Sequence, residues 1–148
     1  MALKALSCAV LIAAALSQPA LSAGTEATAQ SAPGYAQAKA ASDAGQYAQA
    51  LKILAPVVKQ DPKNTDAWTL MGFASRNLKN YTEAARYYDI ALRIDPRHLG
   101  ALEYQGEMFV KLKQYDKARQ NLKMLRAICG TCEQVGDLQR ELNAAGQS

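Results

Sequence analysis

Aromatic residues are scarce, 7% of the 148, while alanine is abundant, a balance that favours packed helices over a β-sandwich. The chain has a single histidine, too little for a histidine metal cage. It also lacks a glycine-rich phosphate loop, a supported carboxylate pair and a serine-nucleophile motif, so no catalytic residue, cofactor or metal is implied. Neither sign of charge dominates. The net of +4 is too weak for a nucleic-acid binder, whose affinity rests on clustered phosphate contacts. At 148 residues the chain is one domain, too short for a self-contained Rossmann enzyme or an α/β-barrel. Its 49% hydrophobic content is too high for a disordered chain. A domain of this size buries roughly two-thirds of its unfolded surface and needs no metal to fold.

What is present begins with an address. Lys4 is followed by Ala5 to Leu16, a run of 12 apolar and small residues, then Pro19 and the small-residue stretch Ala20-Leu21-Ser22-Ala23-Gly24. A charge, a short apolar run and a small-residue zone read as a secretory signal peptide over residues 1–23, cleaved after Ser22 or Ala23. The run is too short for a bilayer core of about 30 Å, so no stable membrane insertion is expected after cleavage. Cys8 precedes most of the run, a poor place for lipid attachment. Residues 24–33 are small and polar and read as a flexible linker. The expected location is periplasmic or secreted, which again argues against nucleic acid.

Self-comparison decides the rest. Tyr47, Tyr81 and Tyr115 are 34 residues apart, as are Ala50, Ala84 and Ala118. Ala38, Gly72 and Gly106 keep the same period, and Asp61-Pro62 recurs as Asp95-Pro96, followed one period later by Cys129-Gly130. Each unit reads as two helices. In the second, Trp68, Met71, Gly72, Phe73 and Leu78 are spaced for one helix, with Asn64 or Thr65 as its N-cap. A turn near Lys79-Asn80 leads to a helix carrying Ala84, Tyr87, Tyr88, Ala91, Leu92 and Ile94 before Pro96. Small residues at Gly72 and Ala84 let two helices cross closely.

Trp68, Met71, Gly72, Tyr81, Ala84, Tyr88, Ala91 and Pro96 together resemble the tetratricopeptide repeat family, over about residues 31 to 132. The resemblance implies an all-α, right-handed superhelical array of about three helix-turn-helix units, near 31–64, 65–98 and 99–132, within a domain spanning 34–145. Pro33-Gly34 departs from the family's usual opening, so a short first helix is expected. Residues 133–145 carry Val135, Leu138, Leu142 and Ala145 on one stripe and read as a capping helix with a polar back.

By analogy with the family, the first helix of each unit lines the concave face. That places Tyr35, Lys39 and Ser42, then Asp66, Thr69, Phe73, Arg76 and Asn77, then Glu103, Glu107, Val110 and Lys111 on the binding surface. Leu70 and Tyr104 stand where some members hold a peptide carboxylate, so that clamp is absent. The implied function is a non-catalytic adaptor or scaffold of the bacterial envelope that takes a protein or peptide segment in this groove. Cys129 and Cys132, three apart in an exported chain, read as a disulfide whose small ring contributes roughly 2 kcal/mol. Redox or soft-metal handling through this pair, with Met124 nearby, is the alternative class. End-to-end self-association is a third. His98 reads as a solvated loop histidine, Trp68 and the tyrosines 47, 81, 87, 88 and 115 as packing. Lys111, Lys113, Lys117, Arg119, Lys123 and Arg126 read as a solvated face.

Overall fold

The computed structural model describes residues 33–147, so the expected signal peptide and all but the last residue of the expected linker lie outside the described residues. Seven helices follow one another: α1 (Pro33–Asp43), α2 (Tyr47–Gln60), α3 (Thr65–Asn77), α4 (Tyr81–Ile94), α5 (Leu99–Lys111), α6 (Tyr115–Cys129) and α7 (Glu133–Ala144). This is the all-α repeat array expected, with α1 the shortest and beginning at Pro33, where proline's fixed φ suits a first helical position. The helices α3, α5 and α7 start 34 residues apart, and so do α2, α4 and α6.

The same local chemistry is reused at each junction. Asn64 caps α3, its Oδ1 accepting from the Ala67 amide at 2.9 Å. One period on, His98 caps α5, its Nδ1 accepting from the Ala101 amide at 3.1 Å. Before each cap, Asp61 and Asp95 turn the chain by accepting from the amides of Lys63 and Arg97 at 3.1 and 2.9 Å. Inside the units the turn after each first helix needs a left-handed residue: Gly45, Lys79 and Lys113, one period apart, have φ of 73°, 63° and 58°. Only the first of the three is glycine, so the two lysines carry a backbone cost of about 1 kcal/mol each.

Packing explains the repeated small residues. A Cβ on Gly72 would stand 2.5 Å from the ring of Tyr88, which crosses from α4 and is fully buried. A Cβ on Gly106 would stand 2.5 Å from Cδ2 of Leu138 on α7. Leu138 and Leu142 are buried with Leu102, Leu122 and Leu125, so α7 covers the end of the core as a cap should. The period that places Ala38, Gly72 and Gly106 places Arg140 on α7, mostly exposed and ion-paired to Asp137. Three expectations change. Val110 is buried in a cluster with Leu102, Leu122, Leu125 and Leu138 instead of lining the inner face. Leu78 lies beyond the end of α3 as its C-cap and is exposed. His98 is half-buried and structural.

Candidate functional site

The first helices α1, α3 and α5 pack side by side, and a hollow of about 530 Å³ opens along them. Tyr35 and Lys39 of α1, Asp66, Thr69 and Phe73 of α3, and Tyr104 of α5 line it, together with the loop residues Asp95, Arg97 and His98 and the start of α5. Its volume is that of a peptide or small-ligand site. Lys39 forms an ion pair with Asp43 one turn on, worth little at this exposure. Burial and the charge of Asp66 push the Tyr35 hydroxyl up to about 12, so it remains a hydrogen-bond donor at any physiological pH.

His98 joins the units across this hollow. Its Nε2 lies 3.0 Å from Oδ1 of Asp66, and its Nδ1 lies 3.5 Å from Thr69 Oγ1, which itself donates to the Thr65 carbonyl at 2.8 Å. With Nδ1 accepting at the helix cap, Nε2 carries the proton toward Asp66. The expectation of a loop histidine therefore fails for a simple reason: position 98 is the register partner of Asn64, the residue already read as a cap. That register is the signal that could have found it.

Toward α7 the character changes. Arg76 is only 7% exposed; its guanidinium pairs with Glu107, reaches the Tyr104 carbonyl at 3.4 Å and lies over the rings of Phe73 and Tyr104 at 5.2 and 5.6 Å. It ties α3 to α5. Phe73 in turn meets Tyr47 and Tyr104, ring centroids 6.1 and 5.1 Å apart. Glu103 is 7% exposed, and burial, aided by the charges of Glu107, Asp137 and Glu133, pushes its carboxyl up to about 7. Asn77 is exposed and donates to the Phe73 carbonyl at 2.8 Å; Lys111 is exposed at the end of α5. Thus Tyr35, Lys39, Asp66, Thr69 and Phe73 share the hollow, Arg76, Glu103 and Glu107 form a deeper charged group, and Asn77 and Lys111 stand outside both. Tyr104, Asp95 and Arg97 were missed as lining residues.

Elsewhere, Trp68 stacks on Tyr87 at 5.8 Å and donates to the Pro62 carbonyl at 2.9 Å, in keeping with packing. The basic set from Lys111 to Arg126 is exposed throughout. Cys129 ends α6 and Cys132 precedes α7, their Cα atoms 5.7 Å apart and their sulfurs joined across Gly130, whose φ is 70°. Among the described residues no group of three or more His, Cys, Asp or Glu could hold a metal, and no helix is long and apolar enough to cross a membrane.

A helical array of paired repeats with an open inner face is the architecture of a protein-interaction module. A tetratricopeptide repeat family model matches residues 35–98 and 76–129, more than half of the chain, and the chain belongs to that family. Among solved structures it is similar to a chain of the CopN-Scc3 complex, with a TM-score of 0.62 at 15% identity over 75% of this chain. The match spans 65% of that chain, and at this identity it shows the fold alone. Among curated proteins no match is found.

Proposed function

We propose that this protein is a non-catalytic adaptor of the bacterial envelope that docks a segment of another protein in the groove along α1, α3 and α5. The observation that carries the reading is the hollow of about 530 Å³, where rings from three successive units (Tyr35, Phe73 and Tyr104) converge. Aromatic side chains give large contact area at small entropic cost, which suits them to anchor a peptide. Membership in a family of protein-interaction modules supports it, as does similarity to a chain found in a protein complex. The location rests on the sequence of residues 1–23, and the Cys129–Cys132 pair fits an oxidising compartment, where it would fix the direction of α7.

A photo-crosslinking residue at Lys39, inside the groove, tests this against the same residue at Lys52 on α2. A partner band from position 39 that is absent from position 52, and lost on Phe73→Ala plus Tyr104→Ala, is the expected result. Equal crosslinking from both positions refutes docking in the groove. Mass analysis of the protein from the periplasmic fraction should show an N-terminus at Ala23 or Gly24. Retained Met1 in the cytoplasmic fraction would refute export.

A further inference from the structure

The repeat register sorts the inner face into two rows. Tyr35, Thr69, Glu103 and Asp137 occupy one equivalent position on α1, α3, α5 and α7, and Lys39, Phe73, Glu107 and Glu141 occupy the next turn, each one period of 34 from the last. In α1 and α3 these places hold two rings, a threonine and one lysine. In α5 and α7 all four are carboxylates. Glu133, at the start of α7, adds a fifth.

Of the five, Glu107 pairs with Arg76 and Asp137 pairs with Arg140. Glu133, Glu141 and Glu103 are left over, and of these three Glu103 is the buried one. It is 93% buried, and its side chain makes no hydrogen bond or ion pair among the described residues. Among the described residues, the fully enclosed side-chain polar atoms without a partner are Ser42 Oγ, Arg76 Nε and Tyr88 Oη. The Glu103 carboxylate is not among them, so it keeps an opening to solvent. Lys111 lies two turns further along α5, about 12 Å away, too far to pair with it. A buried carboxylate without a partner is costly, and the cost is offset when a cation arrives with good geometry. In a chain of net charge +4, a local excess of negative charge around an unpaired buried acid is a recognition feature.

Resting on the groove reading above, we propose that the α5–α7 half of the face is a subsite for basic side chains of the docked segment, while the α1–α3 half holds its apolar anchor. A metal ion is a poor occupant, since no group of three or more suitable ligands is placed to hold one among the described residues. The chain's own leading segment is a poor occupant too: residues 1–32 contain Lys4 as their single basic residue, inside the expected signal. The occupant is a separate polypeptide carrying an aromatic residue and, at a distance, lysine or arginine. Neighbouring helix axes lie about 9 Å apart, so an extended segment crosses from α3 to α5 and from α5 to α7 in about three residues each.

The test uses the purified protein and fluorescent decapeptides with one tryptophan and lysines three and six residues along, in both orders, read by anisotropy. The expected result is binding at least tenfold tighter than the same peptides with glutamate for lysine, a gap that closes as salt is raised. Glu103→Gln with Asp137→Asn should weaken the lysine peptides about tenfold and leave a lysine-free tryptophan peptide unchanged, with no loss of melting temperature. Phe73→Ala should weaken all of them. Equal binding of the glutamate peptides overturns the proposal, as does indifference of the lysine peptides to the double substitution, or no binding of any peptide at millimolar concentration. So does a concentration-dependent dimer abolished by Glu103→Gln, because the occupant would then be the basic face of α6 in a second copy. The crosslinking test fails independently. A groove-specific partner whose crosslinked segment is acidic would sink the basic subsite and leave the docking function standing.

Discussion

Replacing Glu103 by glutamine keeps its shape and removes its charge, and the structure dictates how the effect must vary with pH. Burial, then the charges of Glu107, Asp137 and Glu133, raise its folded-state pKa from 4.5 to about 7, with Arg76 opposing. The unfolded chain holds the ordinary value. An acid whose folded pKa is the higher one is at no disadvantage below about pH 4.5, where both states are protonated. Its native state loses stability as pH rises from there through 7. At 1.36 kcal/mol per unit the shift corresponds to about 3 kcal/mol, and the solvent contact of the carboxylate screens this to about 1–2 kcal/mol. Glu103→Gln should therefore be nearly neutral at pH 4.5 and stabilising by about 1–2 kcal/mol at pH 8, a rise of about 4–10 °C in melting temperature. Urea unfolding of both proteins at the two pH values measures it, and the difference between them cancels the groups that do not feel the charge of Glu103. A glutamine variant that is destabilised at pH 8, or whose advantage is the same at both pH values, refutes the reasoning.

The cap offers a coupled pair. Leu138→Ala should cost about 2–5 kcal/mol and Gly106→Ala about 1–3 kcal/mol, but the double variant should cost clearly less than their sum, because the new methyl enters the space Leu138 vacates; additive costs in chemical denaturation would show that the two do not share that space. His98→Ala should cost about 1 kcal/mol through the lost cap and His98→Asn should restore most of it, as read by thermal melts; failure of asparagine to rescue would shift the weight to the Asp66 contact. Lys113→Gly should stabilise by about 0.5–1 kcal/mol by relieving the left-handed backbone, and an alanine there should give no such gain. Reduction of the Cys129–Cys132 pair should cost roughly 2 kcal/mol without loss of helix content, checked by circular dichroism with and without reductant.

The period of 34 made the helix pairs legible because every unit solves the same packing problem: the tyrosines at 47, 81 and 115 each open a second helix, and the expected turn at Lys79-Asn80 falls where Lys79 turns left-handed. What the pattern did not convey was identity of role within a register. His98 differs in type from Asn64 yet does its work, and Val110 reads as an inner-face residue yet is buried in the cluster at the α7 end. The groove was legible as a list of helix positions, but the partition within it was not. Arg76 finds Glu107 across two helices, a tie between residues 31 apart that no single-helix spacing encodes. Tyr104 entered only as the absence of a carboxylate clamp, and it stands at the centre of the aromatic floor.

Arg140 stands where the three units carry alanine or glycine. A further helix approaching α7 as α4 approaches α3 would meet a guanidinium in the place where its backbone must come closest. Arg140 would have to swing aside, or give way to a small residue, before a helix could pack on α7 as α4 packs on α3. Duplicating a unit ahead of Glu133 would lengthen the groove without touching this position.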